Sequence, residues 1–290
     1  MRLRTTASIP GCRCVALALL LLANAASAQV FYTIRDASGD VDWLLGTLHS
    51  EDPRVLAFPP VLEQALLQAD YIALELVPDR EVLARLQAAM RLPEPERLGD
   101  RLDPALYRRT IEALAEYGVP PEAADRLRPW AAAMTLAQRP MRTGAFMDVA
   151  LARRAARAGV RTVALETVDE QLGFFTGLEP EVHVRLLENA LAEIERSRDT
   201  FEKLVEAYLA GDLSALSALA EAQLRPLPPS ARARFRHEGL LRRNRRMVER
   251  VVPVLERGAT LVAVGALHLS GDGGLIALLE ARGYAVEPIY

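Results

Sequence analysis

The apolar residues of this chain fall into short continuous runs that alternate with longer stretches of helical periodicity. Four of the runs have the length and composition of buried strands. These runs occupy residues 41–48, 71–76, 161–166 and 259–267. Two shorter strands are predicted beside them: residues 31–35 form a hairpin with the first run across the turn at 37–40, and residues 283–287 close the chain.

The stretches between the runs repeat apolar residues every three or four positions, which predicts amphipathic helices. Separate helices are expected at 59–69, 147–158 and 273–282, and two long helical tracts cover about 80–159 and 180–255. Continuous apolar strands separated by helices predict an α/β fold, with a central, mostly parallel sheet and helices on both faces. We expect the two tracts to form a large helical lobe over one end of the sheet.

The first 28 residues match a secretory signal peptide, although a buried N-terminal helix is the alternative. A basic start is followed by an apolar run at 15–23 and by the small residues Ala26, Ser27 and Ala28. The run is far shorter than the roughly 20 residues that span a bilayer. We therefore predict cleavage after Ala28, no transmembrane segment after cleavage, and a periplasmic or secreted protein. Residues 29–290 would form a single α/β domain with the two helical tracts as insertions.

Composition limits the possible classes of function. Both cysteines, Cys12 and Cys14, lie in the predicted signal peptide, so the mature chain would have neither a disulfide nor a thiol nucleophile. The signal holds three of the 35 basic residues and none of the 38 acidic ones, which leaves a net charge of −6. This charge gives no basis for nucleic-acid binding. The sequence also lacks a Gly-x-Ser-x-Gly nucleophile elbow and a phosphate-binding loop.

Two of the four histidines occur in the same local pattern. His49 ends Gly46-Thr47-Leu48-His49, and His268 ends Gly265-Ala266-Leu267-His268. Because ligands bind at the carboxyl ends of parallel strands, we expect the two segments to form one shared active site. Neutral imidazole suits either metal ligation or proton transfer near pH 7, and a preceding glycine allows a backbone or a ligand to approach closely. The alternative is a pair of hydrogen-bonded core histidines.

Glu75 and Glu166 end the second and third apolar runs in the same way, each after a leucine. A carboxylate at the end of a buried strand needs a compensating partner, which could be a metal ion or an arginine at the sheet edge. Two histidines and one or two glutamates could hold a divalent cation and leave a position open for water. Such a set of ligands suits Zn, Mn, Co or Fe about equally.

Several other polar residues are weaker candidates. Asp148 begins a helix, where it could simply stabilise the helix dipole, and Gln171 could point into the same cleft. Arg243 and Asn244 lie in an arginine-rich helix that is typical of a solvated face, although one inward arginine could bind an oxyanion or a substrate carboxylate. The segment 270–274 could be an anion seat at a helix N-terminus or a tight turn.

The order and spacing of these residues resemble the TraB/GumN family, which includes the Tiki metalloproteases. The blocks that carry the resemblance are 43–49, 74–76, 148–171 and 264–269 with the glycines that follow. The resemblance implies an α/β core similar to the ChaN-like haem-binding proteins and the erythromycin-esterase (EreA-like) group. It also implies His49, Glu75 and His268 as the metal-binding or catalytic set, with Glu166 as a second carboxylate. Arg242 departs from the family, since a glutamate often precedes the Arg–Asn pair.

Together these observations predict an exported, peptidase-like, metal-dependent hydrolase. His49, His268 and Glu75 would hold a Mn, Co or Zn ion, and the substrate would be a peptide or protein. Glu75 or Glu166 would take the proton from a metal-bound water, and Arg243 would stabilise the oxyanion. The alternative is a non-catalytic envelope protein that binds haem, a metal or a glycan, for example as an exopolysaccharide accessory factor. A third interpretation is a structural family member without activity.

Overall fold

The computed structural model describes residues 30–140, 143–194 and 197–289, so the predicted signal peptide lies outside the described residues. The strands are β1 (Phe31–Arg35), β2 (Val41–Thr47), β3 (Tyr71–Leu74), β4 (Arg161–Ala164), β5 (Thr260–Gly265) and β6 (Ala285–Pro288). They form one sheet in the order β4-β3-β5-β2-β1-β6. The pairs β4–β3, β3–β5 and β5–β2 are parallel, and only the β1 pairs are antiparallel. The predicted α/β fold with a mostly parallel sheet is confirmed.

Helices connect the strands. They are α1 (Pro53–Leu56), α2 (Pro60–Gln68), α3 (Arg80–Met90), α4 (Pro104–Glu116), α5 (Pro121–Ala124), α6 (Pro129–Leu136), α7 (Met147–Ala158), α8 (Val168–Thr176), α9 (Pro180–Glu193), α10 (Ser197–Leu209), α11 (Leu213–Leu224), α12 (Pro229–Arg236), α13 (Arg242–Leu255) and α14 (Leu275–Glu280). A π-helical turn, His237–Leu241, joins α12 to α13, and 3₁₀ turns occupy Leu98–Arg101 and Ala266–His268. None of the described helices is long and apolar enough to cross a membrane.

The central strands β2, β3 and β5 are buried on both faces of the sheet, to which their successive side chains point in turn. Leu45 and Leu74 pack on one face with residues of α2, α7 and α10. Their neighbours Leu44 and Ala73 pack on the other face with α13 and α14. Each fully buried leucine contributes about 1.5–3 kcal/mol to folding, so continuous apolar runs are favoured over alternating ones here.

The helices of the two long tracts divide between the sheet and a lobe. Buried residues of α4, α6 and α9, among them Leu114, Leu136 and Leu187, form a separate apolar cluster. A second cluster joins α6 and α8 to α12 through Trp130 and Phe175. In contrast, α7, α10 and α13 cover the sheet. The lobe therefore takes α4, α6, α9 and α12 from the two tracts, together with α8, which lies between the tracts in the sequence.

Three of the predicted strands are too long. The apolar run 259–267 continues as a strand only to Gly265, and Ala266–His268 turns into a 3₁₀ helix. The runs 71–76 and 161–166 likewise end as strands at Leu74 and Ala164. The apolar composition continues past β4 and β5 because the next residues, Leu165 and Ala266, are still buried.

Candidate active site

The carboxyl ends of four neighbouring strands meet at one edge of the sheet. Thr47 of β2 pairs with Gly265 of β5, and Leu74 of β3 pairs with both β5 and β4. The two Gly-x-Leu-His segments therefore begin side by side. Glu75 and Glu166 follow β3 and β4, and the Glu166 N–H donates to the Glu75 carbonyl oxygen at 2.9 Å. The sheet order thus brings the candidates from both ends of the chain to one edge.

The two motif glycines allow close approaches that a side chain would block. A Cβ atom on Gly46 would lie 3.0 Å from the Cα atom of Ala266, so the 3₁₀ turn packs directly on the β2 backbone. The Gly265 N–H donates to Oε1 of Glu75 at 2.7 Å, and a Cβ atom there would lie 3.2 Å from that oxygen. In each motif the glycine brings backbone against the groups of the site.

Arg243 joins the two strand-end glutamates in a buried ion-pair network. Its Nε donates to both carboxylate oxygens of Glu166 at 2.9 and 3.0 Å, and its Nη2 donates to Glu166 Oε2 at 2.5 Å. The same Nη2 donates to Glu75 Oε2 at 2.7 Å. Gln171 Nε2 donates to this Glu75 oxygen at 2.9 Å. The partner of the strand-end carboxylates is therefore an inward arginine, which was one of the two possibilities that the sequence left open.

His268 is held in one tautomer by Asn244. The Asn244 amide donates through Nδ2 to the Gly273 carbonyl oxygen at 2.7 Å, which turns its Oδ1 towards Nδ1 of His268. An amide oxygen can only accept, so Nδ1 carries the proton and Nε2 keeps its lone pair. That Nε2 lies 3.7 Å from Oε1 of Glu75. The His268 ring is only 5% exposed, and Asn244 is its orienting residue.

Burial and charge perturb both members of this pair. Burial lowers the pKa of His268 to about 4, and nearby Arg243 adds to this effect while Glu75 opposes it. Burial alone would raise the pKa of Glu75, but His268, Arg243 and the Gly265 N–H lower it to about 2. At neutral pH the site therefore contains an unprotonated imidazole nitrogen facing an ionised carboxylate.

Asp148 lies on the other side of the cleft. It lies in the first turn of α7, and its Oδ1 accepts a hydrogen bond from the buried hydroxyl of Thr47 at 2.9 Å. Burial, together with the negative charge of Glu75, raises the pKa of Asp148 to about 6. Asp148 is thus more than a helix-dipole charge, because it contacts the residue two positions before His49. Thr47 was not singled out from the sequence, although it lies inside the first motif.

His49 has a different environment from His268. Its ring is exposed at the mouth of the cleft and lies against Phe146, with 3.6 Å between ring centroids. The cleft walls desolvate the ring and lower its pKa, while the charge of Glu75 acts in the opposite direction. His49 and Glu75 both line the same cleft. The paired motifs therefore contribute one exposed and one buried imidazole.

The cleft that contains these residues has a volume of about 1340 Å³. His49, Glu75, Asp148, Gln171 and Arg243 line its polar end. Its remaining walls come largely from apolar side chains of α3, α6 and α8. The structure therefore joins a compact set of charged groups to a much larger apolar space.

The separation of His268 and Glu75 can be compared with that of two ligands bound to one metal ion. Two donors bound at about 2.1 Å to a tetrahedral ion lie about 3.4 Å apart. The His268 Nε2 to Glu75 Oε1 distance of 3.7 Å is close to this value. Glu75 Oε1 accepts one hydrogen bond and retains a second lone pair. However, no group of three or more His, Cys, Asp or Glu side chains in the described part of the chain is arranged to hold an ion.

The other two histidines, Arg242 and the 270–274 segment lie outside this group. His183 bonds to the Phe175 carbonyl oxygen within the lobe, and His237 pairs with Glu238 at the surface. Arg242, which stands at the position where the resemblance leads us to expect glutamate, also pairs with Glu238. The 270–274 segment forms a turn in which Gly274 N–H donates to the Gly271 carbonyl oxygen. His183, His237 and Arg242 therefore bond away from the site, whereas the 270–274 turn contacts it through the Gly273 carbonyl oxygen that Asn244 binds.

The known proteins to which this chain is similar include several TIKI metalloproteases. The chain is similar to Metalloprotease TIKI2 of Xenopus tropicalis, with 27% identity over 84% of this chain and 57% of the relative. It is 28% identical to Metalloprotease TIKI1 of Danio rerio, over 84% of this chain and 60% of that protein. A Metalloprotease TIKI homolog of Nematostella vectensis is 25% identical, with 64% of its length covered. The chain therefore spans about three fifths of the length of these relatives.

No solved structure gives a significant match. A family model described as the TraB/PrgY/gumN family matches residues 30–288. This match includes both Gly-x-Leu-His segments, both strand-end glutamates and the Arg243–Asn244 pair. Since the model spans nearly the whole described chain, the resemblance seen in the sequence is confirmed, and the protein belongs to the TraB/PrgY/gumN family.

Proposed function

We propose that this protein is a metal-dependent peptide hydrolase of the cell envelope, with its reaction centre at the polar end of the cleft. The observation that carries the proposal is the pair of His268 Nε2 and Glu75 Oε1, which face each other at 3.7 Å. Asn244 holds the His268 ring, and Arg243 holds the Glu75 carboxylate. The metalloprotease names of the relatives support a divalent metal and a peptide substrate. The predicted signal peptide supports export to the periplasm or beyond.

His268 and Glu75 would supply two ligands, and His49 would supply a second imidazole from the same cleft. A bound Mn, Co or Zn ion would act as a Lewis acid and make hydroxide available near neutral pH. Asn244 supports this role, because a hydrogen bond to the non-ligating nitrogen fixes the ring of a metal-binding histidine. The low pKa of His268 favours the neutral imidazole that ligation requires.

The two glutamates have separate roles in this proposal. Both oxygens of Glu166 bond to Arg243, so we assign Glu166 to holding the arginine rather than to moving a proton. Arg243 in turn holds Glu75 by Nη2 and extends to the cleft wall. The earlier assignment of Arg243 to the oxyanion is compatible with its place in the cleft, although two carboxylates already use most of its donors. Gln171 also holds Glu75 in position.

The test is elemental analysis of the purified protein beside three histidine variants. The wild type should bind one divalent ion, and His49→Ala and His268→Ala should each lose it together with the hydrolysis of a casein-derived peptide. His237→Ala is the matched control, since this surface histidine pairs only with Glu238 and should leave metal content and hydrolysis unchanged. Wild-type metal content in a folded His268→Ala variant would refute the proposed ligand set.

The large apolar part of the cleft favours a second candidate function, which is non-catalytic binding of haem. Haem-sized ligands need apolar walls and an accessible histidine, and His49 is exposed at the cleft mouth. A glycan or a free metal would fit the same non-catalytic role less specifically. A visible absorption band after haem addition, lost in His49→Ala and accompanied by no peptide hydrolysis, would support this alternative over the hydrolase.

A further inference from the structure

The described residues bury the apolar side of α3 only in part, since only Met90 near its end packs against the cluster of Trp130 and Phe175. Asp79 caps this helix by accepting a hydrogen bond from the Val82 N–H, yet none of its residues is buried. Leu83 is 48% exposed, and Leu86 and Met90 lie on the same side of the helix. All three line the cleft. An amphipathic helix normally buries this stripe, so its exposure towards a cavity indicates a surface that a ligand covers.

Aromatic rings form the wall near this stripe. Trp130 stacks on Phe175 with 4.9 Å between ring centroids, and Phe174 contacts both Phe175 and Phe235. These rings also line the cleft. Aromatic side chains provide large contact areas for apolar groups. We call Leu83, Leu86, Met90 and these four rings the apolar wall.

The rim beside this wall is positively charged. Arg225 follows α11, and Arg232 and Arg236 lie on α12; all three are exposed and line the cleft. Arg236 pairs with Glu221 at 3.1 Å. Neither Arg225 nor Arg232 has an ion-pair partner among residues 30–140, 143–194 and 197–289. We call Arg225 and Arg232 the arginine rim, which has two guanidinium groups available for carboxylates.

We propose that the cleft selects acidic peptide segments that contain a large apolar side chain. The apolar side chain would lie on the apolar wall, and neighbouring Asp or Glu side chains would bind the arginine rim. The volume of about 1340 Å³ exceeds the roughly 300–1,000 Å³ typical of small-molecule pockets, so it accommodates several residues of an extended chain. The choice of a peptide rests on the proposed hydrolase function; the preference for acidic and apolar residues rests on the wall and the rim.

Binding can be measured separately from cleavage. The probe is a fluorescein-labelled peptide with a central Phe flanked by Glu residues, compared with one in which Lys replaces Glu and one in which Ser replaces Phe. Fluorescence anisotropy measures affinity, and mass spectrometry measures cleavage of the same peptides. The acidic Phe peptide should bind about tenfold more tightly than either comparison peptide. Added salt should reduce its preference over the Lys peptide, because this preference depends on charge.

Variants test each surface with a matched control on the same helix. The double variant Arg225→Glu and Arg232→Glu should bind the acidic peptide about tenfold more weakly than the wild type. Arg234→Glu on α12 should leave this affinity unchanged, because Arg234 lies outside the cleft lining. Leu86→Asp should weaken the binding of all Phe peptides, while Ala88→Asp on the opposite, exposed side of α3 should have no effect, because Ala88 lies outside the cleft lining. These positions are exposed or partly exposed, so the fold should survive the substitutions.

The outcomes separate this inference from the proposed function. Selective binding of the acidic Phe peptide without cleavage would contradict the hydrolase function. It would support the role of the apolar wall and the arginine rim in peptide binding. Cleavage with equal affinity for acidic and basic peptides would support the hydrolase and overturn the inference. Binding of an anionic amphiphile such as dodecyl phosphate, with no binding of the acidic peptide, would also overturn it, since the site would then be one for lipid-like ligands.

Discussion

Removing the Glu166 carboxylate should destabilise this protein far more than removing an exposed carboxylate. The side chain of Glu166 is fully buried, and both of its oxygens accept hydrogen bonds from Arg243. In Glu166→Ala the guanidinium would remain buried beneath the cleft with only Glu75 as a charged partner, at 2.7 Å. A buried cation that loses its principal partner keeps its desolvation penalty without the compensating attraction.

The magnitude follows from what remains after the substitution. Breaking a buried ion pair by removing one partner costs about 3–5 kcal/mol. Because Arg243 keeps Glu75, we expect the lower end, about 3 kcal/mol. For a domain of this size each kcal/mol lowers Tm by about 2–4 °C, so the expected shift is about 6–12 °C. Glu202→Ala is the control, since Glu202 is 43% exposed in its pair with Arg54 and solvent screens this pair, so the substitution should lower the stability only slightly.

Urea unfolding followed by far-UV circular dichroism measures both variants. The midpoint of Glu166→Ala should fall while the slope with denaturant stays unchanged, because the same surface is exposed on unfolding. Glu166→Gln, which keeps the side-chain volume and one acceptor oxygen, should lie between Glu166→Ala and the wild type. If Glu166→Ala costs no more than Glu202→Ala, the argument that Glu166 anchors the buried arginine is refuted.

Burial raises the pKa of Asp42 to about 7 from 3.8, so wild-type stability should fall as pH rises through this range. In Asp42→Asn this fall should be reduced, and a Tm gap in favour of the variant should open between about pH 4 and pH 8; parallel Tm profiles would contradict the assignment. Gly46→Ala should lower the free energy of unfolding by about 1–3 kcal/mol, because the added methyl group overpacks the 3₁₀ turn. Gly173 is exposed on a helix with open space around it, so Gly173→Ala should raise this free energy by about 0.5–1 kcal/mol in the same urea assay. Asn244→Ala should weaken metal affinity about 10–100-fold by releasing the His268 ring; an unchanged Kd in calorimetry would exclude this positioning role.

The centre of the sheet could be predicted from the sequence because β2, β3 and β5 are buried on both faces. Leu44 and Leu45 are adjacent in the chain and pack into different clusters, which requires a continuous apolar run. The end of β5 was mispredicted for the same reason, since Ala266 is as buried in the 3₁₀ turn as it would be in a strand. Burial determines where apolar residues occur, whereas the close packing of Gly46 on Ala266 determines where the strand stops.

The inward direction of Arg243 was left open, although the sequence contains a signal for it. Met247, Val248 and Val251 form the buried stripe of α13. Arg243 and Asn244 lie four residues before Met247 and Val248, so helical periodicity extends the stripe to both polar residues. The four-residue spacing cannot be continued to residues before Arg242, because the π-helical turn His237–Leu241 adds a residue to the helical repeat. An arginine on the apolar stripe of a helix therefore indicated a buried carboxylate partner.

The different roles of Glu75 and Glu166 could not be predicted, because they depend on the order of the strands. Both glutamates follow a strand and a leucine, and the local sequence does not distinguish them. In the sheet, β4 is an edge strand while β3 lies between β4 and β5. Glu75 is therefore next to Gly265 and faces His268, whereas Glu166 is one strand further away and is enclosed by Arg243. Strand order, rather than residue type, makes Glu75 the carboxylate available to a ligand and Glu166 the one that fixes its arginine.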